Sequence, residues 1–248
     1  MTEIENSLRE FQPISLKEME SVKLMSRIDT KFLCTQLQLV SILNDLSKDY
    51  RVLEIENRQI MSYRTTYFDT DDFRMYIEHQ NGKLNRYKIR EREYVESNLR
   101  FLEVKFKTNK GRTLKTRVKR PASESGFNPQ ELNFLEEKAP FSPSDLHVQL
   151  HNKYKRITLT NLIERVTIDF YMEFMSKKGQ LISIPQLVII EVKQEKFTLN
   201  SPMVSLLKNL HIRKNGFSKY CIGTMMMNEH LKSNSFKAKV QLINHLIA

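Results

Sequence analysis

The chain has 248 residues, with 40 Lys and Arg against 29 Asp and Glu, a formal net charge of +11 and a pI near 9.5. At 40% hydrophobic and 9% aromatic it can bury a core, which excludes a disordered basic tail and leaves an anion-binding folded protein as the expectation. Two distant cysteines, Cys34 and Cys221, fit no Cys-x-x-Cys pattern, so a reduced, cytoplasmic setting is expected.

In chain order, residues 1–25 read as an N-terminal helical segment, polar and acidic at its start and lacking the basic-then-apolar opening of a signal peptide. No stretch approaches the roughly 18 apolar residues of a membrane helix, so a soluble chain is expected. A short strand follows over residues 26–34. Leu39, Val40, Leu43 and Leu46 recur at helical spacing and predict a helix over 36–46. Residues 63–68, rich in β-branched and aromatic side chains, predict a strand, and Asp69, Thr70, Asp71 and Asp72 a turn or helix cap.

Gly82 breaks the chain before a basic strand over 86–94. A hairpin over 101–107 and 113–119 turns at Asn109, Lys110 and Gly111. A helical excursion is expected over 121–150, an antiparallel pair over 162–171 and 181–192, and C-terminal helices over 201–248. The whole reads as a single domain.

Successive side chains of a strand point to opposite faces. Arg86, Lys88, Arg90 and Arg92 therefore share one face, as do Glu103, Lys105 and Lys107, and then Lys115, Arg117 and Lys119. Leu102, Val104, Leu114 and Val118 occupy the opposite faces. Arg165, Thr167 and Asp169 likewise oppose Val166, Ile168 and Phe170, while Glu191 and Lys193 oppose Val188, Ile190 and Val192. Like charges on adjacent strands repel, so this stacking suits a bound polyanion. Such strands build either an antiparallel barrel with a charged interior or an open sheet with a solvated charged face. In the barrel, crowded cations are expected to strain the empty protein, so that Arg90→Met would hold or raise its melting temperature.

Other features read as structural. Asp69, Asp71 and Asp72 suit a capped turn better than a metal cluster. His147 and His151 lack the Glu of a zinc-protease helix and read as surface histidines, with His79, His211, His230 and His245. Met225, Met226 and Met227 suit core filling. No Gly-rich phosphate loop is present. Tyr87 and Tyr94 are thin support for base stacking, so nucleic acid is not expected.

An ordered series spans most of the chain: Arg27-x-Asp29-x-Lys31-Phe32, then Thr66 to Thr70 and Tyr76, the 86–92 strand, Glu103-Val104-Lys105, and Gly111 with Leu114 to Arg117. It continues with Tyr154-Lys155-Arg156, Glu164 to Asp169, Ile190 to Lys193 and Phe217 to Tyr220. This order resembles the VTC domain, the polyphosphate polymerase module of the vacuolar transporter chaperone family, most closely its stand-alone prokaryotic form, within the triphosphate tunnel metalloenzymes. The resemblance implies an α+β fold, an antiparallel β-barrel tunnel with helices packed outside. It implies phosphoryl transfer from ATP to inorganic polyphosphate with Mn²⁺ or Mg²⁺, and leaves a membrane partner open.

Carried over, Lys31, Lys88, Arg90, Lys105, Arg156 and Arg165 would act on the triphosphate, and Glu191 would hold the metal. Lys115 and Lys219 would bind phosphate by the same resemblance, and Arg86, Arg92, Arg117 and Lys193, which share the cationic faces, are expected to bind phosphate with them. This chain departs from the family in three places. Lys88 stands where the family has the first of two arginines and gives a point charge instead of a fork. Lys219, helped by Arg213 or Lys214, replaces a basic pair. Arg27-x-Asp29-x-Lys31 stands where triphosphate hydrolases and cyclases carry Glu-x-Glu-x-Lys. A hydrolase in the same tunnel and a non-catalytic binder of polyphosphate or RNA are the rival readings.

Overall fold

The computed structural model describes residues 2–21, 28–121 and 126–247. Ser26 and Arg27, read above as part of a strand and a motif, lie outside the described residues, as do residues 122–125 of the expected excursion. The elements run α1 (Thr2–Leu8), β1 (Gln12–Ile14), α2 (Leu16–Ser21), β2 (Ile28–Thr35), α3 (Gln36–Leu46), β3 (Arg51–Leu53), β4 (Met61–Asp69) and α4 (Arg74–Gln80). Next come β5 (Arg86–Tyr94), β6 (Leu99–Lys107), β7 (Thr113–Arg120), α5 (Pro129–Lys138), β8 (His147–Thr160), β9 (Arg165–Ser176), β10 (Leu181–Ile184) and β11 (Leu187–Gln194). The helices α6 (Pro202–Asn209), α7 (Lys219–Met227) and α8 (Asn234–Ile247) end the chain.

The main sheet is antiparallel, in the order β2-β11-β9-β8-β4-β5-β6-β7. Alternation of apolar and charged residues gives it two unlike faces. The apolar parity of each strand points outward and is covered by helices. Phe32, Ile157, Val166, Ile168, Val188 and Val192 pack with α1, α3 and α6, and Ile89, Leu102 and Val104 pack with Leu135 of α5. The polar parity faces inward. Lys105 of β6 lies near enough to Lys31 of β2 and Glu191 of β11 to feel their charges, although these strands are far apart along the sheet. The sheet therefore wraps around a charged interior. Its hydrogen bonding is not continuous around that interior, for β2 and β7 are the two ends of the path. The β2 edge is covered by backbone contacts from Lys214 to Phe32 and from the Asn215 amide to the Lys31 carbonyl.

Helices cover the convex side, and α7 in addition lies against the concave side at one end. A bulge makes this contact possible. Lys153 pairs with Glu173 but Lys155 with Phe170, so two residues of β9 oppose Tyr154, and Tyr171 takes φ +50°. One extra residue reverses strand parity. Met172 and Phe174 thereby turn inward and join Leu150, Tyr154, Tyr220 and Cys221 in a second core. A Cβ on Gly223 of α7 would meet Phe174 at 2.5 Å and Leu150 at 2.8 Å, so glycine is what lets the helix seat this closely. Asp69 ties the end together. Its carboxylate accepts from the amides of Met75 (2.9 Å) and Tyr76 (3.0 Å) in the first turn of α4 and from the Tyr220 hydroxyl, as the reading of this stretch as a turn or helix cap expects.

Candidate functional site

The register aligns the cations. Lys88 pairs with Lys105 and Lys105 with Lys115, a cross-strand row of three ammonium groups over β5, β6 and β7. The adjacent row runs Arg90, Glu103, Arg117. Burial lowers the pKa of Lys105 to about 7, with repulsion from Lys88, Arg90 and Lys31 adding to it. Lys105 has accessible surface on the open interior, so water reaches it, but the surrounding cations still disfavour its charge. Lys115 falls to about 8, first through burial and then through Arg90. Lys88 is lowered as well, chiefly by burial, and its Nζ donates to Ser218 Oγ at 2.8 Å.

The repulsion expected of a purely cationic interior is relieved by three inward carboxylates, each set between two cations. Glu103, 1% exposed in its side chain, sits 2.7 Å from Arg90 Nε and 2.5 Å from Lys115 Nζ. Burial opposes its ionisation, but Arg90, Arg92 and Lys115 hold its pKa at about 2. Asp169 accepts from Arg156 Nε at 2.6 Å and Nη2 at 2.8 Å, and also from Lys219. Burial again opposes, and Arg156 and Lys219 keep it ionised. Glu191 meets Lys31 at 2.9 Å and Lys193 at 3.3 Å, and these two cations overcome its burial. Glu103 and Asp169 were legible in the sequence only as members of alternating strands. An acidic residue among inward cations was the signal that they partly offset the charge of the empty site.

The predicted residues fall into one cluster and its margins. Lys31, Lys88, Arg90, Lys105, Lys115, Arg156, Lys193, Lys219 and Glu191 are joined by the contacts above. Arg92 is buried, with its Cζ 5.6 Å from the Tyr63 ring and its Nε without a hydrogen-bond partner. Arg117 lies 4.4 Å from the Phe101 ring. Arg165 is held at one rim by the Met19 carbonyl at 3.0 Å, and Arg86 at the other by the Lys83 carbonyl at 2.8 Å. Tyr154 was missed as a site residue. Its ring lies 5.4 Å from Arg156 Cζ and 4.4 Å from Lys219 Nζ, and its buried hydroxyl has no hydrogen-bond partner. Burial opposes its ionisation, but Arg92 and Arg156 lower its pKa overall.

Two histidines differ from the surface reading. His79 Nδ1 lies 3.1 Å from Cys221 Sγ, and burial, with Lys88 and Arg86, lowers its pKa to about 2. His151 is half-buried, 3.0 Å from Thr66 Oγ1. Both are shielded by packing that the i, i+4 spacing of His147 and His151 does not reveal.

The donor set suits a hard divalent ion that keeps most of its shell from substrate and water. Among the described residues no group of three His, Cys, Asp or Glu could hold a metal. Glu191 offers a single carboxylate, which suits Mg²⁺ or Mn²⁺ when substrate phosphates and water complete the shell.

The lysine shifts give a signed prediction. A polyanion favours the charged ammonium, so at pH 8 tripolyphosphate binding should draw in more protons, by up to about one, than binding to Lys105→Gln. Calorimetry in buffers of different ionisation enthalpy measures this difference, and equal uptake in the two proteins would remove Lys105 from the anion site. The same depressed values mean the unfolded chain holds more protons above pH 7, so these lysines make the empty fold more stable as pH rises from about 7 towards 10.

The family model of the VTC domain matches residues 26–228. No curated protein matches. Among solved structures, a candidate adenylate cyclase from Bacillus halodurans is similar at 17% identity and TM-score 0.48, covering 78% of this chain and 94% of that one. A candidate adenylate cyclase from Vibrio parahaemolyticus gives 14% and 0.47, covering 79% and 95%. A Hippeastrum protein, described as a candidate adenylyl cyclase that reveals a dominant triphosphatase activity, gives 14% and 0.44, covering 79% and 94%. Those likenesses assign no function, but the family match spans every element of the cationic cluster, from β2 to α7, and the chain belongs to the VTC domain family.

Proposed function

We propose that this chain extends inorganic polyphosphate by transferring the terminal phosphoryl group of ATP within its basic interior. The observation that carries this reading is the in-register row Lys88, Lys105 and Lys115 facing Lys31, with Arg90 and Arg156 beside it. Phosphoryl transfer requires in-line positioning and charge neutralisation more than covalent assistance. Arg90 and Arg156 supply forked donors for phosphate oxygens, and Lys31, Lys88 and Lys105 supply point charges. Lys115, Lys219, Arg92 and Lys193 extend this surface, and Arg86, Arg117 and Arg165 guide anions at its rims.

A terminal oxygen of the acceptor chain attacks the γ-phosphorus, the bond between that phosphorus and the β,γ-bridging oxygen breaks, and ADP leaves. The nucleophile is an anionic phosphate oxygen, so no protein base is required. Glu191 would hold Mn²⁺ or Mg²⁺, which when bound supplies further charge neutralisation at the phosphates. For that, Lys31 and Lys193 must turn from Glu191 to the anion.

Purified protein with ATP and Mn²⁺ should yield ADP together with polyphosphate, and orthophosphate is quantified in the same reaction. Orthophosphate released without polymer would assign the interior to triphosphate hydrolysis instead. Binding of tripolyphosphate without turnover of any kind would leave a polyphosphate-binding protein.

A further inference from the structure

We propose that the interior carries a nucleobase platform at its Tyr94 end, built from Tyr154, Tyr63, Tyr94 and Phe101. The inference rests on the reading above, that a nucleoside triphosphate is the phosphoryl donor, and adds what recognises its base. Tyr154 pairs with Tyr63 and Tyr63 with Tyr94, so three tyrosines stand in register across β8, β4 and β5 on the inward face. Tyr63 stacks on Tyr154 with centroids 5.2 Å apart and planes 8° from parallel. Tyr94 lies 5.1 Å from Tyr63, tilted by 58°, and Phe101 stands edge-on to Tyr94 at 6.0 Å.

Exposure grades along the row. Tyr154 is buried, Tyr63, Tyr94 and Phe101 are half-buried, and Arg117, whose guanidinium lies 4.4 Å from the Phe101 ring, is exposed. The faces of Tyr63 and Tyr154 are taken by each other, by Arg156 and by Lys219. Among the described residues, the ring of this row over which no cation lies is therefore that of Tyr94, with Phe101, one face of which Arg117 covers, beside it. A phosphate chain is strongly hydrated and gains nothing from a ring face, whereas a planar heterocycle stacks there and beneath a guanidinium plane.

The spacing suits one molecule. Lys88, Arg90, Arg92 and Tyr94 alternate along a single strand face, and Lys88 to Tyr94 covers ~20 Å at the usual rise per residue. Phosphates lie along the cations and the base reaches the aromatic end. Tyr87, the other tyrosine of this strand, cannot contribute. It points outward and stacks on Phe106 at 4.5 Å.

Isothermal titration of ATP and of inorganic tripolyphosphate into wild type, Tyr94→Leu and Tyr94→Phe tests the platform. Tyr94→Leu should weaken ATP about tenfold, within the ~1–3 kcal/mol of a base–aromatic stack, and change tripolyphosphate less than about twofold. Tyr94→Phe keeps the ring and should bind ATP as wild type does. Unchanged melting temperatures establish that both variants are folded. An equal loss for both ligands, or no loss for either, overturns the platform. The test is separable from turnover, for a protein that makes no polymer can still show the ATP-specific loss. A wild type that binds tripolyphosphate but no ATP overturns the platform while leaving the anion site in place.

Discussion

Asp169→Asn should lower the melting temperature of the empty protein by a large step. The substitution removes the charge that Arg156 and Lys219 both hold. Breaking one side of a buried ion cluster leaves uncompensated charge and typically costs ~3–5 kcal/mol. For a chain of this length that is on the order of 10 °C. A tripolyphosphate ion would then restore the missing negative charge. Ligand at a hundredfold excess over Kd adds about 2.7 kcal/mol to any folded protein that binds it, and Asp169→Asn should bind more tightly and so gain a larger shift than wild type. Thermal unfolding with and without tripolyphosphate decides the matter. Equal shifts in the two proteins would mean that Asp169 is remote from the anion site.

The same reasoning reverses the sign expected from sequence for Arg90→Met. Arg90 is the partner of the fully buried Glu103, so its removal should destabilise the empty protein instead of relieving repulsion. A melting temperature at or above wild type would restore the picture of a self-repelling tunnel.

Glu191→Gln should separate metal-dependent turnover from anion binding. The exchange keeps the shape of the side chain and removes its charge. If Glu191 holds the divalent ion, turnover with ATP and Mn²⁺ should fall ~10²–10³-fold, the equivalent of roughly 3–4 kcal/mol of transition-state stabilisation. Tripolyphosphate binding without metal should hold or tighten, because Lys31 and Lys193 lose their intramolecular competitor. Normal turnover in this variant would make Glu191 an ion-pair partner only.

The strand faces and the family order were legible in the sequence because both are local properties. Alternation with period two assigns Lys88, Arg90, Lys105 and Glu191 to inward faces without knowledge of any partner strand. Helix α3 begins and ends where its apolar spacing predicts, with Thr35 as its cap. What a neighbouring strand presents is a matter of register and closure, and that only the tertiary structure decided. It set Glu103 between Arg90 and Lys115, Asp169 between Arg156 and Lys219, and Glu191 between Lys31 and Lys193, so that each carboxylate offsets half of the charge of its two cations and the interior stays cationic. It placed Tyr154, Tyr63 and Tyr94, up to 91 positions apart in the chain, in one aromatic row. The bulge at Tyr171 lay beyond sequence reading because its extra residue exists only relative to β8. Without it Met172 and Phe174 would face outward, and α7 would lose part of the apolar surface against which it brings Lys219 to Asp169. Charge alternation determines which side chains can meet an anion, and the pairing of distant strands determines which of them hold one another until it arrives.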